Sequence, residues 1–77
     1  MSYTNQQNHC SMKNSLKVER AIKDITQEEL AKIIGVSRQA INSIELGKYV
    51  PSTILALKLS RYFKKSVNNI FKLEAKD

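Results

Sequence analysis

Residues 25–52 read ITQEELAKIIGVSRQAINSIELGKYVPS, and the spacing of their apolar, glycine and hydroxyl residues decides the fold. Thr26-Gln27-Glu28-Glu29 has the form of a capping box, in which the Thr26 hydroxyl accepts from the amide of Glu29 and the Glu29 side chain reaches back to the amide of Thr26. Behind the box Leu30, Ile33 and Ile34 recur at helical spacing, so this helix runs to Ile34 with those three residues inward. Gly35 is the expected stop, because helices commonly end on a residue at positive φ. Ser37 then caps a further helix, 38–46, which ends at Gly47. Only Gly35-Val36-Ser37 joins the two, and so short a glycine-containing connector between two helices is the helix-turn-helix arrangement.

Outward from this stretch the apolar pattern stays helical and strand-like alternation is scarce. Residues 15–22 read as a first helix with Leu16, Val18 and Ile22 toward the core. Pro51 and Ser52 open a fourth that extends to Phe63, with Leu55, Leu59, Tyr62 and Phe63 inward, and Ser66 caps a short fifth over 67–71. The expectation is an all-α, five-helix domain over residues 12–73, with a short strand possible at its carboxyl end. Every Asp, Glu, Lys and Arg lies after Met12. Residues 1–11 are polar, without apolar periodicity, and read as a flexible tail; residues 74–77 read as a short carboxyl-terminal tail.

A chain of 77 residues makes one small domain, too small for a large catalytic cleft with its own supporting shell. Thirteen Lys and Arg against seven Asp and Glu leave a net charge of +6, which favours an anionic partner. Nucleic acid comes first. A membrane surface would need the cations massed on one amphipathic helix, and they are dispersed. No apolar run approaches the ~18–20 residues of a spanning helix and no signal-peptide pattern opens the chain, so a cytoplasmic protein is expected. Cys10 is alone, and His9-Cys10 lacks the further ligands a metal needs, so neither metal nor cofactor is expected. Apart from His9 there is no histidine and no nucleophile paired with a base, and Glu28 and Glu29 are explained by capping and a solvated helix face. No catalytic residue and no small-molecule substrate are assigned.

The helix over 38–46 carries the functional signal. At 100° per residue Ala40, Ile41 and Ile44 fall on one side, while Arg38, Gln39, Asn42, Ser43 and Leu46 fall together on the opposite arc. An ordinary outer face is rich in Lys and Glu; this one carries Arg, Gln, Asn and Ser, whose hydrogen-bond patterns suit base edges. Arg donates twice to guanine O6 and N7, and Gln or Asn pairs with adenine N6 and N7. Phosphate contacts should frame the helix. Gln27 stands at an amino end, where free amides and the helix dipole attract an anion, and Lys48 and Tyr49 follow the stripe on its other side.

The quoted stretch resembles the phage repressor and Cro-type helix-turn-helix family, also called the xenobiotic-response-element (XRE) family, and the likeness extends over residues 12–71. It implies a compact five-helix fold that binds operator DNA, usually as a homodimer on a two-fold symmetric site. Gln27 matches the family's phosphate-binding residue. Ser37, Arg38, Gln39, Asn42 and Ser43 match its DNA-facing positions, with Ser37 counted among the phosphate contacts and the other four as base contacts. Arg20 and Glu45 match a pair that commonly forms a buried, structural ion bridge between the first and third helices. Three departures stand out: Asp24 occupies a turn position where Gly is frequent, Leu46 one where Asn is common, and Ile54 one where Glu often caps the fourth helix.

Ile54 and Leu57 share an outer apolar face, and Val67, Ile70, Phe71 and Leu73 form a second apolar set near the carboxyl end. A small monomer rarely exposes large apolar patches, so a symmetric dimer through the last four is expected. The leading expectation is a sequence-specific DNA-binding transcriptional regulator that represses as a homodimer on a palindromic operator. The alternative is a protein-interaction or antitoxin-like module of the same fold, since fold does not fix function.

Overall fold

The capping box forms as its residues require: the amide of Glu29 donates to Thr26 Oγ1 at 3.0 Å, and the amide of Thr26 donates to Glu29 Oε1 at 2.8 Å. The computed structural model describes residues 12–73. In chain order it contains β1 (Lys13–Asn14), α1 (Leu16–Ile22), α2 (Gln27–Ile34), α3 (Arg38–Glu45), α4 (Thr53–Phe63), α5 (Val67–Ile70) and β2 (Phe71–Lys72). The fold is five short helices around one core, closed by a two-stranded antiparallel sheet that sets Lys13 opposite Lys72 and Asn14 opposite Phe71. The carboxyl-terminal strand therefore pairs with the beginning of its own domain. The expected tails at 1–11 and 74–77, with His9 and Cys10, lie outside the described residues.

Turn chemistry sets the element ends. Gly35 stops α2 at φ +91°, a backbone state that suits glycine. Gly47, at φ +77°, follows α3. Asp24 and Lys64 adopt φ +57° without being glycine; Asp does so at lower cost than most residues because its short polar side chain bonds locally. Ser37 and Ser52 cap α3 and α4 by accepting from the amides of Ala40 and Leu55. Ser66 takes the corresponding position before α5, but its hydroxyl makes no capping bond. Ser15 likewise precedes α1 without capping it; Asn14 supplies the acceptor instead, its Oδ1 taking the amide of Leu16 at 3.0 Å. Asn14 Nδ2 donates to the carbonyl of Ile44 at 2.8 Å, which ties the start of α1 to the end of α3.

The core gathers Leu16, Leu30, Ala31, Ile34, Ile41, Ile44, Leu55, Leu59, Phe63, Ile70 and Phe71. Three residues expected inward are not. Val18 and Ile22 are exposed on α1 and Ile33 on α2. The helical period explains all three: Val18 and Ile22 lie about 200° and 240° around the axis from fully buried Leu16, and Ile33 lies at the edge of the arc held by Leu30, Ala31 and Ile34. The inward face of α1 holds Leu16 with the charged Glu19, which is buried and accepts from Lys65 Nζ at 2.8 Å. Tyr62, expected inward, is half-buried; its ring meets Phe63 edge-on at 4.9 Å, and Lys23 Nζ sits 4.9 Å from its centroid.

Candidate nucleic-acid interface

The connection between α2 and α3 is built from backbone bonds that leave little freedom. The amides of Gly35 and Val36 both donate to the carbonyl of Ala31, at 2.7 and 3.0 Å. Ser37 then holds the first turn of α3 through the amide of Ala40. At the other end the amides of Leu46, Gly47 and Lys48 fold back onto the carbonyls of Asn42, Ile44 and Ser43. Ile41 and Ile44 anchor α3 in the core at 0% and 1% exposure. A rod held at both ends and along its inner face presents its outer face in one orientation.

That outer face is the stripe read from the sequence. Arg38 and Gln39 are exposed, Asn42 and Ser43 are half-buried, and Leu46, at the helix end rather than within it, is exposed. Ser37, Lys48 and Tyr49 are exposed around it. Ser37 Oγ accepts from Ala40 and keeps its own hydrogen free to donate.

Beneath the stripe lies a polar network. Arg20 Nε donates to Glu45 Oε2 at 2.7 Å and Arg20 Nη2 to Glu45 Oε1 at 3.1 Å, a two-pronged pair, while Nη1 donates to the carbonyl of Ile25 at 3.0 Å. The side chains are 16% and 4% exposed, so this is the buried bridge between α1 and α3 that the resemblance implies. Hydrogen bonding to Glu45 raises the Arg20 pKa above its already high value; burial opposes the shift and attraction to the carboxylate adds to it. Gln27 joins the same network. Its Nε2 donates to Glu45 Oε1 and to Asn42 Oδ1, both at 3.0 Å. Both amide hydrogens of Gln27 are thus used inside the protein, and the group it has left for an anion is its backbone N–H. The signal for this was present in the sequence: Gln27 lies about 60° from Leu30, between Leu30 and Ala31 on the buried arc of α2.

The apolar set at the carboxyl end divides. Ile70, at 1% exposure, belongs to the chain's own core; Phe71, at 6%, is part of the core as well and also lines the groove beside it. Val67 is half-buried and Leu73 is exposed. These two border a groove of about 650 Å³ between α4, α5 and β2, whose walls include Met12, Pro51, Ala56 and Leu57. No helix among the described residues is long and apolar enough to cross a membrane.

The chain matches the family described as Helix-turn-helix over residues 16–70. It is 53% identical over 60 residues to an HTH-type transcriptional regulator of Methanocaldococcus jannaschii, an alignment spanning 78% of this chain and 91% of the relative. It is 44% identical over 63 residues to the HTH-type transcriptional regulator YgzD of Bacillus subtilis, covering 82% and 96% of the two chains. A third relative, an HTH-type transcriptional regulator of Archaeoglobus fulgidus, is 47% identical over 60 residues, covering 78% and 84%. With its capped helix pair, three-residue turn and exposed polar stripe, the chain belongs to the XRE-type helix-turn-helix family of DNA-binding transcriptional regulators.

Proposed function

We propose that this chain is a non-enzymatic transcriptional repressor whose domain at 12–73 binds a palindromic operator as a homodimer, with α3 in the major groove. The observation that carries the reading is the outer face of α3, where Arg38 and Gln39 are exposed beside half-buried Asn42 and Ser43 on a helix anchored by Ile41 and Ile44. Arg38, Gln39, Asn42 and Ser43 contact base edges. Ser37, Lys48, Tyr49 and the backbone amide of Gln27 contact phosphates and set the register. Repression follows most directly, because occupying an operator blocks access to it with no surface beyond the one that binds DNA.

The two-fold arrangement rests on the groove beside α4. Leu57 and Leu73 are 55% and 71% exposed at its rim, and Ile54 extends the same outer face of α4 at 68%. A second copy of the chain covers this apolar surface symmetrically, with Val67, Phe71 and Leu73 at the contact and Ile70 retained in the core.

Selection of bound fragments from random duplex DNA at physiological salt tests the reading. The expected product is two inverted half-sites about one helical turn, ~34 Å, apart. Replacing Arg38, Gln39 or Asn42 with Ala should each cost ~1–3 kcal/mol on that site. Sedimentation equilibrium should show a dimer that Leu57→Glu converts to monomer. Unchanged affinity in the triple alanine variant overturns the assignment of α3. Wild-type protein that stays monomeric at tens of micromolar overturns the homodimer.

A further inference from the structure

We infer that Gln27 is a positioning residue for base selectivity, holding Asn42 with its carbonyl inward and its amide nitrogen outward. The inference rests on the reading of α3 as the DNA-facing helix and assigns to one of its side chains a defined hydrogen-bonding sense. A carboxylate accepts and does not donate, so the Gln27 group that meets Glu45 Oε1 is its NH2. The second hydrogen of the same nitrogen points to Asn42, which therefore meets it with Oδ1. An amide side chain has two faces of nearly equal shape and opposite hydrogen-bonding sense. Here the sense is set in sequence, from the guanidinium of Arg20 to the carboxylate of Glu45, then to Gln27, then to Asn42.

Neither hydrogen on Asn42 Nδ2 is used by another of the described residues, and both are offered to a partner. Among the described residues no buried side-chain nitrogen or oxygen lacks a hydrogen bond, and Nδ2 has no partner among them, so it stands at the surface. A donor held in this sense suits a base edge that offers an acceptor to the major groove: guanine N7 and O6, adenine N7 or thymine O4. Cytosine offers only its N4 hydrogens there. Asn42 held by Gln27 rejects cytosine; Asn42 released from Gln27 rotates its amide and accepts it.

This role differs in its consequences from a phosphate contact by the Gln27 side chain. Base preferences should be read position by position from random duplex DNA for the wild type, Gln27→Ala, Gln27→Met and Asn42→Ala, with the salt dependence of binding measured for each. Gln27→Met keeps the length of the stem and removes only the amide. The wild type should exclude cytosine at one position of each half-site, and Asn42→Ala should abolish that exclusion. Both Gln27 variants should relax the same position, reducing the penalty against cytosine by roughly 5- to 100-fold, with other positions and the salt slope unchanged. Gln27 variants that keep the base pattern and lose affinity equally on all sequences overturn the proposal in favour of a phosphate contact. If Arg38→Ala and Asn42→Ala both leave every preference intact, the reading of α3 itself fails, an outcome distinct from the other two. An independent check needs no variant: in the free protein the Gln27 side-chain amide hydrogens should exchange slowly with water and those of Asn42 quickly, and the reverse order overturns the proposal.

Discussion

Replacing Arg20 with Met should cost about 3 kcal/mol of folding stability, and the figure follows from what the guanidinium holds. Three hydrogen bonds disappear, two to the Glu45 carboxylate and one to the carbonyl of Ile25. The carboxylate left behind is 4% exposed and keeps one donor, Gln27 Nε2. Breaking a buried pair from one side costs ~3–5 kcal/mol, most of it the uncompensated charge. The lower end applies because 16% of the Arg20 side chain reaches solvent, which screens part of the interaction. At ~4–8 °C per kcal/mol for a domain of this size, the melting temperature should fall by ~12–24 °C. Urea titration followed by circular dichroism at 25 °C gives the same quantity at constant temperature. The double variant Arg20→Met, Glu45→Met removes the orphaned carboxylate as well, and should recover at least half of the loss. A single variant that costs less than ~1 kcal/mol would place the pair among solvated surface bridges and refute the reasoning. So would a double variant no more stable than the single one.

Two further outcomes test the local readings. Thr26→Ala removes the side-chain half of the capping box, in which the amides of Glu29 and Thr26 each find a partner, and should cost ~1 kcal/mol in urea titration. Lys64→Gly should stabilise the domain by ~0.5–1 kcal/mol, because Lys64 ends α4 at φ +57°, a conformation that costs an L-residue ~1–2 kcal/mol and glycine nothing, less the greater freedom that glycine has when unfolded.

The parts of the fold that were legible in the sequence are those governed by neighbours in the chain. Thr26 and Glu29 are three residues apart, Gly35 needs only its own φ, and Ser37 caps the amide three residues on, so each could be read without knowing what packs where. The stripe on α3 was legible for a related reason: Ile41 and Ile44 fix the helix's inner face, and everything opposite them faces outward. On α1 apolar character and helical period point to different faces, and the period decides. Val18 and Ile22 are apolar, but the inward positions of that helix belong to Leu16 and Glu19, and a buried carboxylate can only be anticipated with its partner in view. That partner, Lys65, lies 46 residues away. Asn14 is illegible in the sequence for the same reason, since it caps α1 locally while its other bond reaches 30 residues to Ile44. The burial of Ile70 and Phe71 also depends on distance, because β2 finds its partner in β1 at the opposite end of the domain.

The arrangement under the stripe separates the proposed base readers into two kinds. Arg38 and Gln39 stand in solvent, long and free to rotate, and ordering such a side chain on binding costs ~0.5–1.5 kcal/mol. Asn42 is half-buried with its carbonyl already bonded, so most of that cost has been met in folding. The exposed pair can adapt to more than one sequence by choosing among rotamers, whereas Asn42 offers a single hydrogen-bonding sense from a fixed place. Affinity is therefore expected to draw mainly on Arg38, whose positive charge is attracted to the polyanion, and discrimination at one position of the half-site to draw on Asn42. The carboxylate of Glu45 serves both ends of this division. It closes the bridge that holds α1 against α3, and it sets the donor that orients Gln27 and through it Asn42. A substitution that loosens the bridge without unfolding the domain should accordingly blur selectivity at the Asn42 position while leaving the contribution of Arg38 in place, because Arg38 takes no part in the network.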